Sequence, residues 1–110
     1  MFKGRFFSCE NFVVKSNEIQ LELMNIGSKS ITVNIVRAVS KGQITGDMCE
    51  DTGILQEIKP GATETIILSC PGIEVNPGNR FTSEIQLVHS FTGGHVKSNT
   101  WGEITAVVSN

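Results

Sequence analysis

The chain has 110 residues, 39% of them hydrophobic, with 9 basic and 11 acidic side chains and a formal charge of −2. That length fits one domain, residues 1–110, because two halves would each be too small to bury a useful core. The hydrophobic share excludes a disordered chain, and the mixed charges form none of the basic patches that a nucleic-acid binder uses. Apolar runs are too short to cross a membrane. Residues Met1–Phe7 show neither an apolar signal core nor a cleavage site. Two expectations follow: a cytosolic chain, or a native N-terminal segment that preceded Met1 and is absent here.

Taken in chain order, the periodicity is two almost everywhere. Glu18 to Leu23 alternates polar and apolar, which turns Ile19, Leu21 and Leu23 to a core. Asn25-Ile26-Gly27-Ser28-Lys29 supplies a turn, and Ile31, Val33 and Ile35 resume the alternation, so the two segments are expected to form an antiparallel hairpin. Ser40 to Gly53 reads as an irregular loop holding Cys49. Pro60-Gly61 marks a turn, Thr63 to Ser69 is a β-branched strand, and Pro71-Gly72 and Asn76-Pro77-Gly78-Asn79 punctuate again.

In the last third, Phe81, Ser83, Ile85, Leu87 and His89 share one face. On the return strand Val96, Ser98, Thr100, Gly102, Ile104, Ala106 and Val108 share a phase. Gly93-Gly94 is expected to supply the positive φ angles of a two-residue hairpin turn. The return strand, from about His95 to Val108, must bend at Gly102 or run the length of a sheet. Apolar residues nowhere recur at helical spacing. The expected fold is all-β: an immunoglobulin-like antiparallel β-sandwich of about 7–8 strands.

Reactive chemistry is sparse. Cys9, Cys49 and Cys70 match no zinc or redox spacing, and they read either as three buried thiols or as one disulfide plus an odd thiol. If a bridge forms, the favoured pair is Cys49–Cys70, since Cys49 sits in a glycine-bounded loop and Cys70 ends a strand before Pro71-Gly72. A bridge would imply an oxidising compartment. His89 and His95 are the only histidines, and with a turn at Gly93-Gly94 they pair across from Ser98 and Thr92, on opposite faces of the hairpin. No metal site is expected there; His89 reads as a partly buried sheet residue and His95 as a solvent-facing one. No cysteine is set in a nucleophile motif, the acidic run Asp47 to Asp51 lacks the ligand spacing of a calcium loop, and Thr92-Gly93-Gly94 joins strand to strand rather than strand to helix. The expectation is no catalytic residue and no cofactor. Trp101, the single tryptophan, lies in the opposite phase from Val96 and Ile104. It fills a core on its own side of the sheet, or stands exposed as an anchor for a sugar or a partner subunit.

The order of features resembles the C-terminal headpiece of archaeal type IV pilins and archaellin-like pilin proteins over about residues 8 to 109. The matching run starts at Cys9-Glu-Asn-Phe-Val-Val and continues through Glu18-Ile-Gln-Leu-Glu-Leu-Met-Asn-Ile-Gly and Ser30-Ile-Thr-Val-Asn-Ile. A cysteine-bearing loop around Cys49 follows, then Ile58-Lys-Pro-Gly-Ala-Thr-Glu-Thr-Ile-Ile-Leu-Ser-Cys. Gly78-Asn-Arg-Phe to Val108 is similar to the family's closing hairpin, with Thr100-Trp-Gly-Glu-Ile standing for its Thr-X-Gly-X-Ile pattern. The chain departs from the family in having no basic leader, no hydrophobic N-terminal helix, and Phe81 where Tyr is commoner. The resemblance implies a non-enzymatic headpiece on the cell surface, acting in adhesion or motility. Its partners would be copies of itself or related pilin subunits, and it would meet a membrane only through a segment absent here. The rival expectation is a free-standing immunoglobulin-like binding or adhesin module of a surface or virion protein, holding its ligand through loops 40–53 and 71–79.

Overall fold

The computed structural model describes residues 6–109. Eight strands follow in order: β1 (Phe7–Lys15), β2 (Glu18–Asn25), β3 (Ile31–Val39), β4 (Met48–Asp51), β5 (Gln56–Ile58), β6 (Thr63–Ser69), β7 (Arg80–Phe91) and β8 (Ser98–Val107). One 3-10 turn, Thr45–Asp47, is the only helical element among the described residues. A three-stranded sheet has the order β1-β2-β6; a five-stranded sheet has the order β4-β3-β7-β8, with β5 also paired to β3. All these ladders are antiparallel. The fold is an immunoglobulin-like β-sandwich. It differs from the constant-type arrangement in that its fourth strand joins β3 rather than the first sheet.

The alternation read from the sequence explains the layers. Ile19, Leu21 and Leu23 from β2, with Ile66 and Leu68 from β6, are buried against Ile31, Val33, Val36 and Ala38 from β3 and Phe81, Ile85 and Leu87 from β7. Each strand turns one face inward, as a half-buried strand with period two must. Along β3 the phase breaks between Val33 and Ile35, where the register with β7 shifts. Ile35, expected inward, is therefore displaced to the outer face opposite Val88, and Val36 takes the core position.

The expected hairpin between the second and third strands does not form: β2 and β3 belong to opposite sheets. Paired side by side, their apolar faces would lie on one sheet and other strands would have to cover both. Set in opposite sheets, they cover each other. Asn25 makes this crossing. Its side chain is fully buried. Its Nδ2 donates to the carbonyls of Lys29 (2.8 Å) and Ile58 (2.9 Å), while its Oδ1 accepts from the Gly27 N–H at 2.9 Å. Its backbone N–H bonds to Ala62 O at 3.1 Å and its carbonyl accepts from Gly61 N–H at 2.9 Å. One residue thus ties the end of β2 to β5 of the other sheet and to the turn entering β6.

The loop expected over residues 40–53 contains β4, so Cys49 lies on a short edge strand rather than in irregular chain. Cys49 and Cys70 form a disulfide with Cα atoms 5.6 Å apart, joining β4 to the residue after β6 across the two sheets. Beside it Ile44 and Ile73 form an isolated bridge, with Thr45 N–H donating to Gly72 O at 2.7 Å. Glycine is required at position 72, because a Cβ there would stand 2.9 Å from the Cβ of Thr45. At the opposite edge Lys15 and Ser109 form a parallel bridge, which ties β1 to the tail of β8. The closing turn is also longer than expected. Gly93 has φ of 82° but Gly94 does not share the positive φ, and the strands stop at Phe91 and resume at Ser98. The register is nevertheless the one a two-residue turn would give, with His89 opposite Ser98.

Two stability measurements check these joints. Asn25→Ala strips the Ile58 and Lys29 carbonyls of their donor and is expected to cost about 2–4 kcal/mol in urea unfolding. Replacing both bridged cysteines, Cys49→Ala with Cys70→Ala, releases a 21-residue separation and is expected to cost about 3 kcal/mol.

Candidate interaction face

The outer face of the five-stranded sheet carries the most organised side chains on the surface. Strand alternation turns Thr82, Glu84, Gln86 and Val88 of β7 outward, beside Asn99, Trp101, Glu103 and Thr105 of β8. A hydrogen-bonded row crosses all four main strands here. Arg37 Nε donates to Glu50 Oε2 at 2.6 Å, Arg37 Nη1 donates to Gln86 Oε1 at 3.1 Å, and Gln86 Nε2 donates to Asn99 Oδ1 at 3.0 Å. The row fixes long side chains and pairs the Arg37 charge with Glu50. Exposed ion pairs contribute little to stability, so its effect is mainly to hold these side chains in place.

Trp101 stands next to this row, directly opposite Gln86 and 46% exposed. The structure therefore removes the reading in which its indole fills a core. Val107, on the same face of β8, is 56% exposed. One register step from Trp101, Glu103 lies directly opposite Glu84, a like-charge pair that disfavours the bare sheet. Beside those carboxylates a groove of about 360 Å³ is bounded by Ser40, Lys41, Gln43 and Thr82. Gln43 holds the loop to the sheet there: its Oε1 accepts from the Thr82 N–H at 2.9 Å, while Ser40 Oγ donates to Thr82 O at 2.9 Å.

The two histidines are separated, and Cys9 stands apart from the bridged pair Cys49–Cys70. His89 is buried on the inner face of β7, and His95 is exposed in the loop before β8. Among the described residues no group of three His, Cys, Asp or Glu side chains is placed to hold a metal ion. The His89 Nε2 lies 2.8 Å from Thr100 Oγ1. Its ring packs at 5.0 Å centroid distance against both Phe6 and Phe7, and Phe6 lies 6.1 Å from Phe91. Lys29 places its ammonium 5.3 Å from the Phe91 ring centre. Sequence reading missed this aromatic cage, because Phe6 and Phe7 are about eighty residues from His89 and no local periodicity links them. Burial alone lowers the His89 pKa from its ordinary value. Cys9 is half-buried beside the bulge in β1; its thiol donates to Asn11 O at 3.4 Å, and burial pushes its pKa up to about 11. Such a thiol is a poor nucleophile.

No protein-family model matches the chain, and no curated protein matches it in sequence. The arrangement presents an ordered polar face with one half-exposed tryptophan, next to a shallow groove.

The buried imidazole sets a pH dependence. With the folded pKa below the unfolded value of about 6.5, the unfolded chain binds the extra proton first, so this residue's effect on stability is constant above about pH 7. Stability is expected to fall as pH drops below 6.5 and to level once the folded pKa is passed. In melting curves from pH 7.5 to 5, His89→Gln should flatten that particular decline.

Proposed function

We propose that this chain is a non-enzymatic, pilin-like headpiece, a cell-surface structural domain acting in adhesion or motility through contacts between subunits. Trp101 carries the reading. A half-exposed indole, set beside an ordered row of polar side chains, combines a rigid apolar surface with hydrogen-bonding neighbours, the make-up of an interface hot spot. The Cys49–Cys70 disulfide supports an oxidising, extracellular setting. The nearest rival reading is a free-standing binding module. It draws on the groove beside residues 40–43, which joins the loop over 40–53 to the sheet.

Sedimentation equilibrium tests the choice. The headpiece reading expects concentration-dependent self-association, weakened about tenfold or more by Trp101→Ala with the melting temperature unchanged. A chain that stays monomeric at every concentration, whatever stands at position 101, would sink it. Ligand-dependent stabilisation abolished by Lys41→Ala would then favour the binding module.

A further inference from the structure

Strand β8 pairs with β7 on one side, and among the described residues no strand pairs with it on the other. The sandwich's other edges are interrupted. A bulge between Cys9 and Asn11 breaks the β1 ladder. The outer side of β3 is divided between β4 and β5, of four and three residues. The end of β6 is tied to β4 by the disulfide. Within β8 itself there is no such device; only beyond its end does β1 reach this edge, where Ser109 N–H bonds to Val14 O and Lys15 bridges Ser109. Its ten residues keep an unbroken register with β7 from Val107 opposite Arg80 to Ser98 opposite His89. They include no proline and no basic residue, and their one charge is Glu103. A long, regular edge with outward-pointing N–H and C=O groups is a template for another strand.

The sequence of that edge selects the added strand. We propose that β8 pairs antiparallel with β8 of a second copy of this chain, across a two-fold axis through Gly102. The inference rests on the self-association proposed above and gives it a geometry. In such a pair, residues directly opposite must come from the same face, so a residue and not a peptide gap sits on the axis. Three registers are central. With Glu103 on the axis, two carboxylates face each other, which is repulsive. With Trp101 on the axis, the ladder shortens and Thr105 to Val107 overhang. With Gly102 on the axis, the ladder runs from Ser98 opposite Ala106 to Ala106 opposite Ser98, nearly the whole strand. Trp101 then faces Glu103 of the second copy, Asn99 faces Thr105, Thr100 faces Ile104, and just beyond the ladder Val107 faces Lys97. No like charges meet. The two five-stranded sheets become one continuous sheet, with both tryptophans on its outer face on either side of the axis.

Cross-linking tests the register. In a Cys9→Ser background that retains the native disulfide, Gly102→Cys puts two thiols on the axis within bridging distance, since opposed Cα atoms stand about 4.5–5.5 Å apart. Mild oxidation should convert most of this variant to a covalent dimer, while Asn99→Cys in the same background should not cross-link. The unmodified chain supplies a measurement that needs no variant to fold. As concentration rises through the association, β8 amides should exchange about tenfold or more slowly, with the β1 amides unchanged. Association without a Gly102→Cys cross-link and without slowed β8 exchange would overturn the edge pairing while leaving subunit association intact. A chain monomeric at every concentration would overturn both. Slow β8 exchange in a monomer would mean that the chain covers its own edge, and would overturn the pairing alone.

Discussion

The sandwich depends on the buried amide of Asn25. At the end of β2 the chain must leave one sheet and enter the other, and the crossing strands backbone groups that no ladder can pair. The Asn25 side chain answers three of them at once, two carbonyls and one N–H, from a position closed to water. Because one of those carbonyls belongs to Ile58, the same side chain fixes β5 against the corner before the chain turns back into β6. The opposed core faces of β2 and β3 follow from that crossing. So does the aromatic cage at the same end, where Ile26 N–H bonds to Phe6 O at 3.0 Å and sets the ring that packs on His89.

Legibility divided along the line between local and distant information. Strand identity is local, so β2 and β7 could be read from alternation and β6 from its β-branched residues, and Phe81, Ile85, Leu87 and His89 are buried together as their phase requires. Strand partnership is not local. Asn25 to Lys29 has the composition of a hairpin turn, and nothing in the alternation of residues 18–35 distinguishes pairing within a sheet from facing across a core. One sign was present: Asn25 shares the inward phase of Ile19, Leu21 and Leu23, and an inward asparagine must be bonded to something. β4 escaped detection because Met48, Glu50 and Asp51 are exposed and Cys49 only half-buried, leaving no apolar pattern to read. The phase of Trp101 was legible, but which side of the sheet would be covered was not.

The outer face of the five-stranded sheet carries an ordered arrangement of side chains although the chain has few reactive groups. Among the described residues only Cys9 and His89 are shifted in acidity, and both chiefly by burial. Order on the outer face comes instead from the row through Arg37, Gln86 and Asn99, which links side chains from β3, β7 and β8 and leaves the indole beside them exposed.

The parallel bridge between Lys15 and Ser109 has a mechanical consequence. It places the far end of β1 beside the tail of β8, so Phe7 and Ser109 lie toward opposite ends of a body 39 Å long. A pull between those two residues runs along the strands. It loads the β1–β2 and β7–β8 ladders in shear, where many hydrogen bonds must yield together, instead of peeling them apart one at a time. Within this geometry the sandwich resists tension along its long axis better than across it, with the disulfide as a covalent stop between the sheets.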